Sequence, residues 1–222
     1  DPKPTRSLTD SQLFMQQRHI NAKVNTQLGD DDNLMLSAYG GDDDLDVALS
    51  DSVNTFSFGN RWGNRALMGR WTHVFSPALF GRMIALYSTY QSAITLNFFE
   101  TPIAIRNRAR DLTFKGDFDY FSSADHTLHA GAELTLFRFD YKVRFDQYRE
   151  NLAVTPYLLS TYVQDDWKIT PFTEAHLGLR GSYYQEDSRF SLNPRFSISH
   201  MLADELRLKL AGGWYQQYLQ LV

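Results

Sequence analysis

Between Asp111 and Leu136 apolar and polar residues alternate so regularly that the segment can hardly fold as anything but an antiparallel hairpin. Leu112, Phe114, Gly116, Phe118 and Tyr120 interleave with Asp111, Thr113, Lys115, Asp117 and Asp119. After Ser122-Ser123-Ala124-Asp125, Leu128, Ala130, Ala132, Leu134 and Leu136 interleave with Thr127, His129, Gly131, Glu133 and Thr135. Successive side chains of a strand point to opposite faces, so one face is apolar and the other carries ionisable groups. The pattern recurs along most of the 222 residues and predicts a large antiparallel sheet. It leaves open whether the apolar face meets a protein core or lipid.

Composition narrows that choice. Mean hydropathy is −0.40, and no stretch approaches the apolar run that a membrane-spanning helix requires. A transmembrane barrel spends only every second residue on lipid and keeps such a soluble-looking average. The 16 Phe, 12 Tyr and 4 Trp suit a barrel with interfacial girdles. The absence of cysteine excludes a disulfide framework or a thiolate metal site. A net charge of −4, with acidic residues in clusters, argues against nucleic acid as a partner. The opening Asp1-Pro2-Lys3-Pro4 lacks the basic and apolar segments of a signal peptide, so the chain reads as mature or as a piece of a longer one.

About ten strands are predicted: 19–29, 34–40, 62–75, 79–97, the hairpin above, 157–169, 175–184, 190–200 and 206–216. Past Leu136 the phase reverses. Phe137, Phe139, Tyr141, Val143 and Phe145 now alternate with Arg138, Asp140, Lys142, Arg144 and Asp146, which predicts a bulge that swaps the faces. Each odd-to-even link is short, whereas three of the four even-to-odd links are long, including a polar loop over 41–60. Short turns at one end and long loops at the other follow the plan of an outer-membrane barrel, which a soluble sandwich has no reason to copy. Strands reaching roughly 9–11 residues also fit a tilted spanning strand better than the five or six usual in soluble domains. Trp71 and Phe75, Trp167 and Phe172 flank short turns, and Trp214 and Tyr215 lie toward the opposite end, as interfacial aromatics would.

Several segments resemble a known family. Tyr162-Val163-Gln164-Asp165-Asp166-Trp167-Lys168-Ile169-Thr170 resembles a barrel-strand motif of TonB-dependent outer-membrane receptors, and Leu177-Gly178-Leu179-Arg180 with Tyr183-Tyr184 follows it in the family's order. Phe190-Ser191-Leu192-Asn193-Pro194-Arg195, Leu208-Lys209-Leu210-Ala211-Gly212-Gly213-Trp214-Tyr215-Gln216-Gln217 and Trp71-Thr72-His73-Val74-Phe75-Ser76-Pro77 are similar to further family strands. The resemblance spans about two-thirds of the chain. It is closest in style to Bacteroidetes-like receptors with an N-terminal regulatory-type domain. It implies a 22-stranded barrel, of which this chain would be a transmembrane segment over 1–222 with no plug domain and no TonB-contacting segment visible. It also implies the bacterial outer membrane, active import of a scarce ligand (iron chelate, glycan or peptide), and energy from the TonB complex. Outer-membrane lipid and a surface lipoprotein would be the other partners.

Candidate chemistry is sparse, and neither an enzyme nor a bound cofactor is expected. Lys115, Asp117, Asp119, His129, Glu133, Arg180 and Arg195 are expected to form a polar wall facing a wet lumen. Asp42, Asp43, Asp44 and Asp46, with Asp51, crowd the expected external loop. Clustered carboxylates can hold calcium, but the spacing lacks the ordered pattern of a calcium loop and reads as a solvated surface. His126 and His129 fall on opposite faces and cannot share a metal, and no Ser nucleophile elbow or Gly-rich phosphate loop occurs. Two other readings stay open: a self-contained ten-stranded outer-membrane hydrolase, and a soluble barrel whose apolar face lines a cavity.

Overall fold

Backbone N–H and C=O groups need partners, and strands joined by tight turns find them most readily in their sequence neighbours. The computed structural model, which describes residues 10–50, 55–98 and 101–217, forms one such antiparallel sheet. Its strands are β1 (Asp10–Gln27), β2 (Asp32–Ser50), β3 (Thr55–Ser76), β4 (Leu79–Phe98), β5 (Thr101–Phe121), β6 (His126–Phe145), β7 (Tyr148–Val154), β8 (Tyr157–Thr170), β9 (Thr173–Tyr184), β10 (Arg189–Ala203) and β11 (Leu206–Gly213). The opening Asp1-Pro2-Lys3-Pro4 and Asp51 lie outside the described residues.

The order is sequential, with one exception. Residues 139–145 of β6 pair with β7, whereas residues 126–136 pair with β8, so β7 and β8 lie end to end along one neighbour. The break is Thr155-Pro156, where proline brings no N–H to the ladder. Pro156 is fully buried, and its carbonyl accepts the Phe137 N–H at 2.9 Å. The expected ten strands are therefore ten staves, one of them broken.

Two expectations are corrected. The long even-to-odd loops are largely strand: β2 and β3 stay in register from Asp32↔His73 to Ser50↔Thr55, so residues 41–50 and 55–60 are ladder rather than loop. Gly40-Gly41-Asp42-Asp43-Asp44 has the residues of a turn, but it is paired on both sides, with β1 and β3, and Arg61 and Arg65 reach across to Asp44 and Asp42. The second correction concerns β6. It pairs with β5 from Ile103↔Phe145 to Phe121↔Thr127 without a register shift, so no bulge lies at Leu136. The faces keep their backbone identity, and the side chains placed on them change. The shifts that do occur, between Val74/Ser76, Lys168/Thr170 and Met201/Ala203, all sit beside short turns.

Burial is inverted relative to a soluble protein. Buried apolar residues are few (Met35, Ala175 and Tyr184), while Asp117, Thr135, Ser160, Ser182, Ser191, Asn193 and Ser199 are buried, all on the polar face. Ser160 is only 2 % exposed and bonds Ser182 at 2.9 Å, and Thr113 bonds Thr135 at 3.0 Å. The opposite face exposes Leu67 at 60 % and Val163 at 51 %, along with Leu36, Phe114 and Leu177 on other strands. Near the short turns this apolar face carries Trp71, His73, Phe75, Phe118 and Trp167. There Asp32 accepts hydrogen bonds from Trp71 Nε1 at 2.7 Å and from His73 at 2.8 Å. A continuous apolar face with a polar-tipped aromatic rim fits contact with a bilayer.

Candidate functional site

The polar face gathers its ionisable groups where β4, β5, β6, β8 and β9 run side by side. Alternation on β5 and β6 presents Lys115, Asp117, Asp119, His129 and Glu133 on one side, and the register aligns them with residues of β8 and β9. Lys115 Nζ lies 3.1 Å from Asp117, whose other oxygen accepts the Tyr162 hydroxyl at 2.6 Å. Asp119 meets Arg82 at 3.5 Å and His129 Nδ1 at 2.6 Å. The other nitrogen of His129 faces Asp166 at 3.1 Å, and Asp166 also takes His176 at 2.7 Å and Gln164 Nε2 at 2.7 Å. Arg180 stands 3.9 Å from Glu133.

Six of the seven residues expected to form a polar wall thus belong to one field of ion pairs and hydrogen bonds, formed both within and between strands. Arg195 stands apart, its guanidinium 4.9 Å above the Tyr215 ring. Tyr162, Gln164, Asp166 and His176 complete the field and were not among the expected residues. Their alternation with Val163, Asp165 and Leu177 carried the signal, since parity alone puts them on the same face. His126 lies on the other face, paired with Asp165 at 2.8 Å. Among the described residues no three His, Asp or Glu side chains are grouped as a metal site.

Away from the short turns both faces change character. On β5 and β6, Leu112 and Leu136 are cross-strand partners on the apolar face, and the next three pairs along it are Arg110–Arg138, Arg108–Asp140 and Arg106–Lys142. The formerly polar face becomes mixed over the same stretch, where Ile94, Ile105, Phe137 and Phe139 share it with Asn107 and Ser92, which bond each other at 3.3 Å. The rings of Phe137 and Phe139 stack 5.7 Å apart. The aspartates expected in an external loop lie in this zone of β2. Asp44 pairs with Arg61, Asp42 pairs with Arg65 at 3.4 Å, and Asp43, on the other face, meets His19 at 3.3 Å. Asp46 lies opposite Gly59.

A sheet that exposes its apolar face, buries its polar one and runs in sequential antiparallel staves has the architecture of a transmembrane barrel wall. Solved structures share this fold, and all those named here are TonB-dependent outer-membrane receptors or transporters. FpvA of P. aeruginosa, in complex with an iron-bound pyoverdine, superimposes with a TM-score of 0.68 at 12% identity, over 90% of this chain and 35% of its own. The RagAB peptide transporter gives 0.63 at 10% identity, over 89% of this chain and 32% of its own. BauA, the ferric preacinetobactin receptor of Acinetobacter baumannii, gives 0.56 at 9% identity, over 90% and 46%. The chain therefore spans about a third to a half of the length of these neighbours and has the fold of part of their barrel wall. No protein-family model matches the sequence, and no curated protein matches it.

Proposed function

We propose that this chain forms ten staves of the barrel of an outer-membrane receptor that imports a scarce ligand with TonB-coupled energy. The inverted burial carries the reading: the exposed apolar face suits lipid, and the half-buried ionic face suits a watery lumen. A soluble barrel would reverse that distribution. In a closed barrel the ion pairs among Arg82, Lys115, Asp117, Asp119, His129 and Asp166 line the passage. Neighbouring charges of both signs let a moving ligand or a plug exchange partners with the wall at little cost, because partly hydrated ion pairs are weak. Farther out, the stacked rings of Phe137 and Phe139 offer apolar contact to an arriving ligand. Further sequence supplies the remaining staves and the plug. The outer membrane has no ATP, so the work of import comes through TonB, and a surface lipoprotein is a second candidate partner.

Cells producing the whole protein should accumulate a radiolabelled iron chelate or a labelled oligopeptide only while the inner membrane is energised. Dissipating the proton gradient should stop accumulation and leave surface binding intact. Accumulation that continues without energy would identify a passive pore instead.

A further inference from the structure

The charged zone on the outward face forms a cleft of about 760 Å³ between β2 and β6. Its β5–β6 side carries Arg106, Arg108, Arg110, Arg138 and Lys142 against a single carboxylate, Asp140. Asp140 is engaged by Arg110 at 2.5 Å and by Arg138 at 3.5 Å. Arg108 bonds Gln91 at 3.4 Å, and among the described residues no carboxylate lies within ion-pair distance of Arg106, Arg108 or Lys142. Arg110 Nε is buried without a hydrogen-bond partner. The acids of β2 do not neutralise this side, because Asp44 and Asp42 are turned to Arg61 and Arg65. The cleft holds surplus positive charge on the face that should meet lipid.

Directly toward the short turns on that same face lies an apolar furrow of about 470 Å³. Gly69, Ala38 and Ala85 form its floor, with Leu36, Leu67 and Tyr87 as its sides. A Cβ on Gly69 would reach only Leu36, at 3.6 Å, so the furrow exists because its floor residues are small. The two features join at Leu112 and Arg110, which are two residues apart on β5.

We propose that the cleft and furrow together form a binding site for a phosphorylated lipid of the outer leaflet, its anionic headgroup among Arg106, Arg108 and Lys142 and an acyl chain in the furrow. The site rests on the barrel lying in the outer membrane as read above. Guanidinium and ammonium groups bind phosphate oxygens with charge-assisted hydrogen bonds, and basic residues beside a bilayer attract anionic headgroups. The apolar furrow distinguishes this from a site for free phosphate, because only a lipid occupies both parts.

The whole protein, reconstituted in nanodiscs of phosphatidylethanolamine, would be titrated with lipid A, with its dephosphorylated form and with pyrophosphate, and binding read by native mass spectrometry. Lipid A should bind at least tenfold more tightly than either comparison ligand. Arg106→Glu with Lys142→Glu should weaken lipid A binding by about tenfold or more, since each basic residue near the surface contributes several-fold. Gly69→Leu should weaken lipid A and leave pyrophosphate unchanged. Equal binding of the dephosphorylated lipid, or an unaltered affinity in the double variant, overturns the site. Pyrophosphate binding as tightly as lipid A reduces it to a free-anion site and also overturns it. Resistance of each variant to proteolysis in the nanodisc reports insertion separately. A protein that fails to insert at all sinks the barrel reading, whereas an inserted one that ignores lipid A sinks only this proposal.

Discussion

At Gly131 the missing side chain is what lets two other residues meet. The Tyr162 ring lies across β6 at its register partner Gly131, and its hydroxyl reaches Asp117 on β5 at 2.6 Å. A Cβ at Gly131 would collide with that ring and sit 2.8 Å from the Gly116 carbonyl. Gly131→Ala should therefore displace Tyr162, break its bond to Asp117 and cost about 1.5–3 kcal/mol, the usual worth of a hydrogen bond to a charged group. Urea unfolding of the reconstituted protein measures this, and Tyr162→Phe in the same background should add little. Asp140 carries a pH prediction. Hydrogen bonding from Arg110, with the charge of Arg138, holds its carboxyl below the ordinary carboxylate range. A depressed folded value stabilises the native state above the unfolded carboxylate range, and that contribution disappears as pH falls through the folded value. A carboxyl NMR titration should find the Asp140 midpoint below the ordinary aspartate range; an ordinary midpoint would contradict the pair. Much of this residue-level picture was readable in advance. Alternation alone put Asp117, Asp119, His129 and Glu133 on one face. The basic cleft was not readable, because Arg61, Arg106 and Arg138 come from three separate strands and only the register brings them together.

Among the elements, β6 is the most informative. The sequence shows its phase change at Leu136 but not its cause, since a bulge and a change of surroundings give the same pattern. The unbroken register with β5 excludes the bulge. One continuous strand leaves the hydrocarbon, so its outward side chains turn from Leu134 and Leu136 to Arg138, Asp140 and Lys142, while Phe137 and Phe139 face the other way. Single cysteines placed from 134 to 142 in the reconstituted protein test this. Those at 134 and 136 should resist a membrane-impermeant maleimide, and those at 138, 140 and 142 should react promptly. A reagent pattern that switches from even to odd positions past 136 would restore the bulge. The same reasoning explains why residues 41–60 looked like a loop. Alternation persists there, with Leu45, Val47 and Leu49 opposite Asp44 and Asp46, but the glycines and aspartates before it imitate a turn.

At the scale of the whole molecule the sheet runs from β1 to β11, and these two strands occupy its edges. Unpaired edge groups are costly in hydrocarbon and invite pairing with other chains in water. The 222 residues produced alone and refolded into detergent micelles should therefore associate instead of giving a discrete monomer, as read by size-exclusion light scattering. A stable monomer with protected amides on β1 and β11 would show that the ten staves close on themselves. The turn from leucine to arginine on the outward face has one more effect. Sliding the wall by a single outward pair, two residues or about 6.6 Å along a strand, would either drag Arg110 and Arg138 toward hydrocarbon or strand Leu112 and Leu136 in water. Charge in the lipid costs up to about 2–4 kcal/mol per side chain at the midplane, so the boundary works as a waterline that fixes how deep the protein floats.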